Sequence, residues 1–164
     1  MADAIVYTSK TGYTKQYADM LGAELSLPVC SVKEARTRLS KGDTVIYLGW
    51  ICASRIKGFA EVAHRFKVCI VCGVGLCDTG TMLDEVRRAT SVPTEIPLFT
   101  LQGGFDRTRL HGVSRLVIAA MTKGLSEQKT RSAADERMLE LLTSDAVYVS
   151  RDKLQGVIDR YRIL

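Results

Sequence analysis

The chain has 164 residues, 46% of them hydrophobic, which is enough to bury the core of one compact domain. No repeat, low-complexity tract or Pro/Ser-rich linker divides it, so we predict a single domain over residues 1–164. No apolar run reaches the ~20 residues that span a bilayer, and the N-terminus lacks the basic region of a signal peptide. The cysteines number five, an odd count, which favours reduced thiols in a cytoplasmic protein over a disulfide framework.

The formal net charge is +5, with a pI of about 9.0. A basic protein is steered toward anionic surfaces such as acidic proteins, anionic lipids and substrates that carry carboxylates. No recognised nucleic-acid-binding motif accompanies the charge, so nucleic acid is not expected as a partner.

Apolar strands and amphipathic helices alternate along the chain. The predicted strands are residues 4–8, a short strand near Val29, residues 44–50, 67–73, 97–101 and 146–149. The predicted helices are residues 14–25, a short helix with capping-box spacing from Ser31 to Glu34, residues 58–66, residues 81–90 capped by Thr79 or Thr81, and residues 152–163. Right-handed βαβ units in this order predict an open parallel sheet with helices on both faces.

The loop between the first strand and the first helix is rich in hydroxyl groups. It consists of Thr8, Ser9, Lys10, Thr11, Gly12, Tyr13 and Thr14. Backbone N–H groups, hydroxyls and the positive end of the helix dipole meet there, as a bound phosphate requires, and parallel sheets bind ligands at this edge. The alternative is an ordinary turn in which Thr14 caps the helix.

The loop matches neither the Walker pattern nor the dinucleotide fingerprint. Its order, Thr-x-x-Thr-Gly-x-Thr, resembles the FMN-phosphate loop of flavodoxins. The resemblance implies that the hydroxyls of Ser9, Thr11 and Thr14 and the amides of residues 10–14 hold the phosphate of FMN. It also implies an α/β, flavodoxin-like three-layer sandwich with a five-stranded parallel sheet in the order 2-1-3-4-5.

Two further loops follow the third and fourth strands at the same edge of the sheet. In flavodoxins such loops enclose the flavin ring, which implies contacts from Trp50, Ile51, Cys52, Ala53 and Ser54 in one loop and from Gly73, Val74, Gly75, Leu76 and Cys77 in the other. The glycines of the third loop permit a close backbone approach to a flat ring. Flavodoxins often place the stacking aromatic where this chain has Ala53 and Ser54, so Trp50 either stacks on the ring or covers the strand end.

A helical insertion of about residues 103–145 follows the fifth strand. Apolar residues recur in it at helical spacing: Leu110, Val113, Leu116, Val117, Ala120 and Met121. Residues 106–131 contain six basic residues (Arg107, Arg109, Arg115, Lys123, Lys129, Arg131) and two acidic ones, a local net charge of +4. The insertion resembles that of the flavodoxin-like bacterial protoporphyrinogen oxidases, the menaquinone-dependent dehydrogenases, where it lies near the membrane and the substrate. The alternative is a helix packed against the domain with a solvated basic face.

The resemblance implies an FMN-binding redox protein of one of two kinds. The first is an FMN-dependent oxidoreductase acting on an anionic, porphyrin-like substrate with a quinone as acceptor, in peripheral contact with the inner membrane face. The second is a flavodoxin-type carrier of electrons between redox partner proteins, with a structural insertion.

No catalytic residue and no metal site is predicted. His64 and His111 fall on separate predicted helices without metal-ligand spacing. Cys69 and Cys72 lie within one predicted strand, so we expect the two thiols to point to opposite faces instead of forming a redox pair.

Overall fold

The computed structural model describes residues 1–105 and 113–164. The strands in these ranges are β1 (Ala4–Thr8), β2 (Val29–Ser31), β3 (Thr44–Cys52), β4 (Arg55–Ile56), β5 (Lys67–Gly75) and β6 (Leu98–Gln102). The helices are α1 (Tyr13–Leu25), α2 (Val32–Arg38), α3 (Phe59–Arg65), α4 (Leu83–Thr90), α5 (Val113–Glu127), α6 (Ala133–Thr143) and α7 (Gln155–Arg162). A 3-10 turn, Arg151–Leu154, leads into α7.

The chain forms two compact units. The first, here the sheet unit, consists of Met1–Gly103 and Val149–Leu164, and the second, the insertion unit, is Gly104–Tyr148. The division falls close to the predicted bounds of the insertion, because the chain leaves the sheet directly after β6 and returns before α7.

The sheet runs in the order β2-β1-β3-β5-β6, and each of these strands is parallel to its neighbours. Numbered among themselves, the parallel strands have the predicted order 2-1-3-4-5, so the flavodoxin-like α/β architecture is confirmed. The short β4 pairs antiparallel with the end of β3 and adds a sixth strand. The C-terminal ends of β1, β3, β5 and β6 therefore lie along one edge of the sheet.

Side chains of successive strand residues enter two cores, one on each face of the sheet. Ile5 and Val6 illustrate the alternation, since the first lies in one core and the second in the other. Helices α1 and α7 cover the first face, with Leu21 and Ile158 fully buried. Helices α2, α3 and α4 cover the second face. Burying a side chain such as Leu21 contributes about 1.5–3 kcal/mol to stability. The packed helices therefore hold the strands in place, and with them the loops at the strand ends.

The two central strands extend further than predicted. β3 ends at Cys52 instead of residue 50 because it turns back into β4, with Cys52 opposite Arg55. β5 ends at Gly75 instead of residue 73 because β6 continues to pair with it, Gly75 opposite Gln102. Several residues predicted in loops therefore belong to strands.

Two local predictions about residues outside the central strands are wrong. Neither Thr79 nor Thr81 caps α4, which begins at Leu83 after Met82, a residue with left-handed backbone geometry. Both threonine side chains are bonded elsewhere. The Thr81 hydroxyl donates to the backbone carbonyl of Asp78, and the Thr79 hydroxyl accepts from the backbone N–H of Gln102. Residues 146–149 form no strand beyond a single bridge between Gly104 and Val147. The capping box from Ser31 to Glu34 is confirmed.

A β-bulge overturns the prediction for the cysteine pair. The pairing of β5 with β3 shifts by one residue at Cys69, between Val68 and Ile70. The extra residue reverses the alternation, so Cys69 and Cys72 both pack against the core under α1 and α7. All five cysteines are free thiols, and Cys52 is the exposed one.

The insertion unit contains α5 and α6. Three apolar side chains of α5 are exposed, Leu116 by 71%, Val117 by 51% and Met121 by 45%. The predictions for Leu110, Arg107, Arg109 and His111 lie outside the described residues. Within the described part of the chain, no helix has the length and apolarity needed to cross a bilayer.

Candidate functional site

The loop after β1 leaves the start of α1 without a side-chain cap. Helix α1 begins at Tyr13, and its N-cap is Gly12, with a φ of 96° that favours glycine. Thr14 is therefore inside the first turn and is not the N-cap; it is 2% exposed. The first turn contains no acidic residue. The helix N-terminus keeps its positive character, as an anion site requires.

Ser9 shapes this loop from inside. Its hydroxyl oxygen accepts a hydrogen bond from the Gly12 amide over 3.1 Å. Since the Ser9 oxygen accepts that bond, its own proton is left to donate outward. Ser9 can therefore support the turn and bind an anion at the same time.

Thr8 is held by a side chain of the neighbouring strand β3. The Tyr47 hydroxyl lies 3.0 Å from Thr8 Oγ1 and also bonds the Lys57 carbonyl. Because a carbonyl only accepts, the Tyr47 proton goes to Lys57 and the Thr8 hydroxyl donates to Tyr47. A side chain at Gly58 would collide with both hydroxyl groups, and Gly58 has a φ of 85°. The predicted phosphate contacts of the loop are the hydroxyls of Ser9, Thr11 and Thr14.

Burial raises the pKa of Tyr47 to about 12, although the Thr8 hydrogen bond acts in the opposite direction. The phenol is therefore protonated throughout the physiological range and keeps its bond to Lys57. Its role is structural, since it ties the end of β1 to the segment that opens α3.

Lys10 connects the first loop to the end of β3. Its Nζ lies 5.1 Å from the centroid of the Trp50 indole, within the range of a cation–π contact. Trp50 is half-buried and pairs in register with Val74 of β5. It belongs to neither core cluster and lies near the C-terminal end of β3.

The predicted second loop is a tight hairpin. Ala53 and Ser54 are its two central residues, with φ values of 48° and 58°. Positive φ at both positions is the geometry of a two-residue I′ turn, which usually contains glycine or asparagine. The Ser54 hydroxyl bonds the Glu85 carboxylate of α4. The hairpin is therefore held by the pairing of β3 with β4 and by the bond from Ser54 to α4. Cys52, next to the turn, is exposed.

Ile51 lies against the glycines that were predicted to approach the ring. A Cβ at Gly73 would come within 2.8 Å of the Ile51 side chain, and one at Gly75 within 3.3 Å. These two strand glycines therefore leave room for the Ile51 side chain, which a Cβ at either position would crowd. Leu76 and Cys77 follow β5 as true loop residues.

A buried glutamine holds the start of this third loop. Gln102 is 5% exposed, and its side-chain Nε2 donates to the Leu76 carbonyl over 3.2 Å. Its Oε1 accepts from Lys153 Nζ at 3.2 Å, and its backbone carbonyl accepts from the Tyr17 hydroxyl at 2.6 Å. Its backbone N–H donates to Thr79. Burial lowers the pKa of Lys153, with nearby Asp78 opposing.

The sequence prediction missed Gln102, Lys153 and Tyr47. Gln102 carried one readable signal, a large polar residue at the end of an apolar strand, on the edge where ligands bind. Nothing in the sequence around Lys153 indicated its contact with Gln102, because the two residues lie far apart in the chain. Burial raises the pKa of the Cys77 thiol, with Asp78 and Glu85 adding to the effect, so Cys77 is not an activated nucleophile.

The residues present fit FMN. The uncapped start of α1, the hydroxyls of Ser9, Thr11 and Thr14, and the Lys10 cation suit a phosphate. The predicted ring residues lie on neighbouring strands, since Trp50 and Val74 pair in register. The predicted phosphate and ring residues therefore follow adjacent strands of the sheet unit.

Comparison with protein-family models gives a match that covers most of the chain. The family model described as "Flavodoxin domain" matches residues 4–132 of the chain. No curated protein matches, and no solved structure matches. The match covers well over half of the chain and includes residues 8–14 and the hairpin after β3. The chain therefore belongs to the flavodoxin domain family.

Proposed function

We propose that the protein binds FMN through the loop of residues 8–14 and transfers electrons with it. The observation that carries the proposal is the start of α1, where the N-cap is a glycine that makes no side-chain cap bond and the loop in front of it contains hydroxyl groups and a lysine. Membership of the flavodoxin domain family supports a flavin-binding redox role. When bound, FMN supplies the redox chemistry, while the chain binds it, orients it and controls access to it.

The proposal is tested by comparing FMN with riboflavin, which lacks the phosphate. Hydrogen bonds to a charged group contribute ~1.5–3 kcal/mol each, so a phosphate held by several donors should make FMN bind at least tenfold more tightly. The dissociation constant for each flavin is measured by calorimetric titration of the flavin-free protein. Equal affinity for the two flavins would remove the phosphate site from residues 8–14.

For the electron partners, we propose that the insertion unit brings the protein to an anionic surface. Supporting this, Leu116, Val117 and Met121 are exposed on α5. Arg115 and Lys123 are exposed on the same helix. Exposed apolar residues beside basic ones are the composition of helices that lie at a membrane surface. The partner there would be a quinone or a substrate with carboxylates, such as a porphyrinogen, and the protein would work at the cytoplasmic face.

The second candidate is a carrier that passes electrons between redox proteins. The charge of the insertion unit favours it in one respect, because α6 contains Asp135, Glu136 and Glu140 and is acidic where α5 is basic. A helix pair of mixed charge suits a protein partner. The two candidates differ in one measurable property, the affinity for anionic vesicles or a carboxylated porphyrin at low salt.

A further inference from the structure

Gln102 makes four hydrogen bonds with four different residues at the end of β6. The side chain bonds Leu76 and Lys153, and the main chain bonds Tyr17 and Thr79. A buried glutamine in which the backbone N–H, the backbone carbonyl, Oε1 and Nε2 each have a partner is held in one orientation. Gln102 also stands directly opposite Gly75, the last residue of β5, so its side chain reaches the first residue of the third loop.

The two partners of the side chain determine which way the amide points. The Lys153 ammonium only donates and the Leu76 carbonyl only accepts. The oxygen must therefore face Lys153 and the nitrogen must face Leu76, and a flipped amide would lose both bonds. Each bond is 3.2 Å long. The positive charge of Lys153 polarises the amide and strengthens its N–H as a donor.

Fixing the Leu76 carbonyl also fixes the next N–H group. The peptide bond is planar and trans, so the carbonyl of Leu76 and the N–H of Cys77 point in opposite directions. With the carbonyl turned to Gln102, the Cys77 N–H points away from Gln102.

We propose that Gln102 is a positioning residue that aims the Cys77 N–H at the polar edge of the flavin ring. The inference rests on the proposed binding of FMN and names a determinant of the same site outside the three predicted loops. A preorganised N–H donor stabilises the form of the ring that carries more negative charge. Gln102 therefore raises the midpoint potential of the bound flavin without touching it.

Four variants separate this role from a structural one. Gln102→Glu keeps an acceptor for Lys153 but has no donor for Leu76, and Gln102→Leu removes both without adding charge. Lys153→Met changes a partly exposed side chain and covers the case in which the buried variants do not fold. Thr79→Val is the matched control, because it removes a bond to the Gln102 main chain and leaves the bond to Leu76 in place.

The first measurement uses flavin-free protein. In the wild type, the order parameter of the Cys77 amide by NMR relaxation should be about 0.85, as in rigid backbone, and in both Gln102 variants it should fall below about 0.6. Lys153→Met should give an intermediate value. Thr79→Val should lower the thermal midpoint but keep the order parameter.

The second measurement uses flavin. The Gln102 variants should bind FMN and riboflavin more weakly by the same factor, about three- to tenfold for one hydrogen bond, since the ring is common to both. The midpoint potential of bound FMN should fall in Gln102→Leu as well as in Gln102→Glu. A fall in Gln102→Glu alone would come from its added charge and would overturn the proposal.

Failure of the proposal and failure of the FMN site are distinguishable. A wild-type protein that binds FMN, with Gln102 variants that keep its affinity and its potential, refutes the positioning role alone. A wild-type protein that binds no FMN refutes the proposed function and the donor role of Cys77 with it.

Discussion

Lys10 Nζ lies 5.1 Å from the centroid of the Trp50 indole, and this contact joins the loop after β1 to the end of β3. The two residues are forty positions apart and meet because β1 and β3 are neighbours in the sheet. Trp50 is also the single tryptophan of the chain. Its fluorescence therefore reports on the site without interference from elsewhere in the protein.

Trp50 is expected to border the ring. FMN should quench its emission, and Trp50→Ala should weaken FMN and riboflavin alike, by about three- to tenfold for the loss of an aromatic contact of ~0.5–1.5 kcal/mol. Trp50→Phe keeps an aromatic face and should retain most of the affinity. Calorimetry that finds wild-type affinity in Trp50→Ala would leave the indole as a cover for the strand end.

Thr11 and Thr14 are expected to bind the phosphate. Changing both to alanine removes two hydroxyl donors, so FMN binding should weaken at least tenfold, at ~1.5–3 kcal/mol for each hydrogen bond to a charged group. Riboflavin binding should not change, because riboflavin has no phosphate. Thr143→Ala, which removes an exposed hydroxyl at the end of α6, is the control. Unchanged FMN affinity in the double variant would place the phosphate elsewhere.

Alkaline pH is expected to destabilise the sheet unit through two tyrosines. Burial raises the pKa of Tyr17 and of Tyr47 to about 12 in each case. Between the unfolded value near ~10 and the folded value, the unfolded chain releases these protons first, so the free energy of unfolding falls as pH rises. The slope is up to roughly 1.4 kcal/mol per pH unit for each tyrosine.

The experiment is urea denaturation from pH 9 upward, in ~0.5-unit steps chosen to resolve a slope of that size. Tyr47→Phe should be less stable at neutral pH, because it loses the bonds to Lys57 and Thr8, but its stability should fall less steeply above pH 10. An identical slope in wild type and variant would show that Tyr47 is accessible to solvent before unfolding.

The hairpin after β3 is expected to gain stability from glycine. Ala53 has a φ of 48°, a conformation that costs an L-residue about 1–2 kcal/mol. Ala53→Gly relieves this and should stabilise the protein by about 0.5–1 kcal/mol after the added entropy of the unfolded chain. Ala60→Gly in the exposed face of α3 should instead destabilise it by about 1 kcal/mol. Thermal denaturation measures both, and equal effects would contradict the turn geometry.

The insertion is expected to bind anionic vesicles in a salt-sensitive manner. Each basic residue near such a surface contributes ~1 kcal/mol, screened by salt. Replacing Arg115 and Lys123 by glutamine should weaken sedimentation with phosphatidylglycerol vesicles roughly thirtyfold, and Leu116→Ser with Val117→Ser should weaken it further. FMN affinity should persist.

The control for the insertion is Arg137→Gln on the acidic helix α6, which should bind vesicles like the wild type. Neutralising Arg107, Arg109 and Arg115 together extends the test to residues outside the described part of the chain. A wild-type protein that ignores both vesicles and a carboxylated porphyrin at low salt would favour the electron carrier.

The parts of the fold that depend on local patterns could be predicted from the sequence. β1 begins and ends at the predicted residues, and the box from Ser31 to Glu34 opens α2. The strand is indicated by a continuous run of apolar residues, and the helix start by a serine followed three residues later by a glutamate. Both patterns lie within a few neighbouring residues and do not depend on contacts with the rest of the chain.

Features set by contacts between distant strands could not be predicted. The bulge at Cys69 arises from the pairing of β5 with β3 and moves a thiol to the other face. The hairpin at Ala53 and Ser54 uses left-handed geometry that neither residue type signals. The contact of Gln102 with the third loop could not be predicted, because it depends on β6 ending beside that loop. The same limit applies to Lys153, which reaches this site from the far end of the chain.

The segment that Gln102 anchors has a further consequence for how the protein behaves at high concentration. β6 is the last strand of the sheet, and its outer peptide groups would accept a strand from another molecule. Instead, Thr100 accepts from the Gly80 amide and Gln102 donates to Thr79. Residues 79 and 80 thus occupy two peptide groups on the outer edge of β6, and an approaching copy would have to break these bonds before it could pair with that part of the strand.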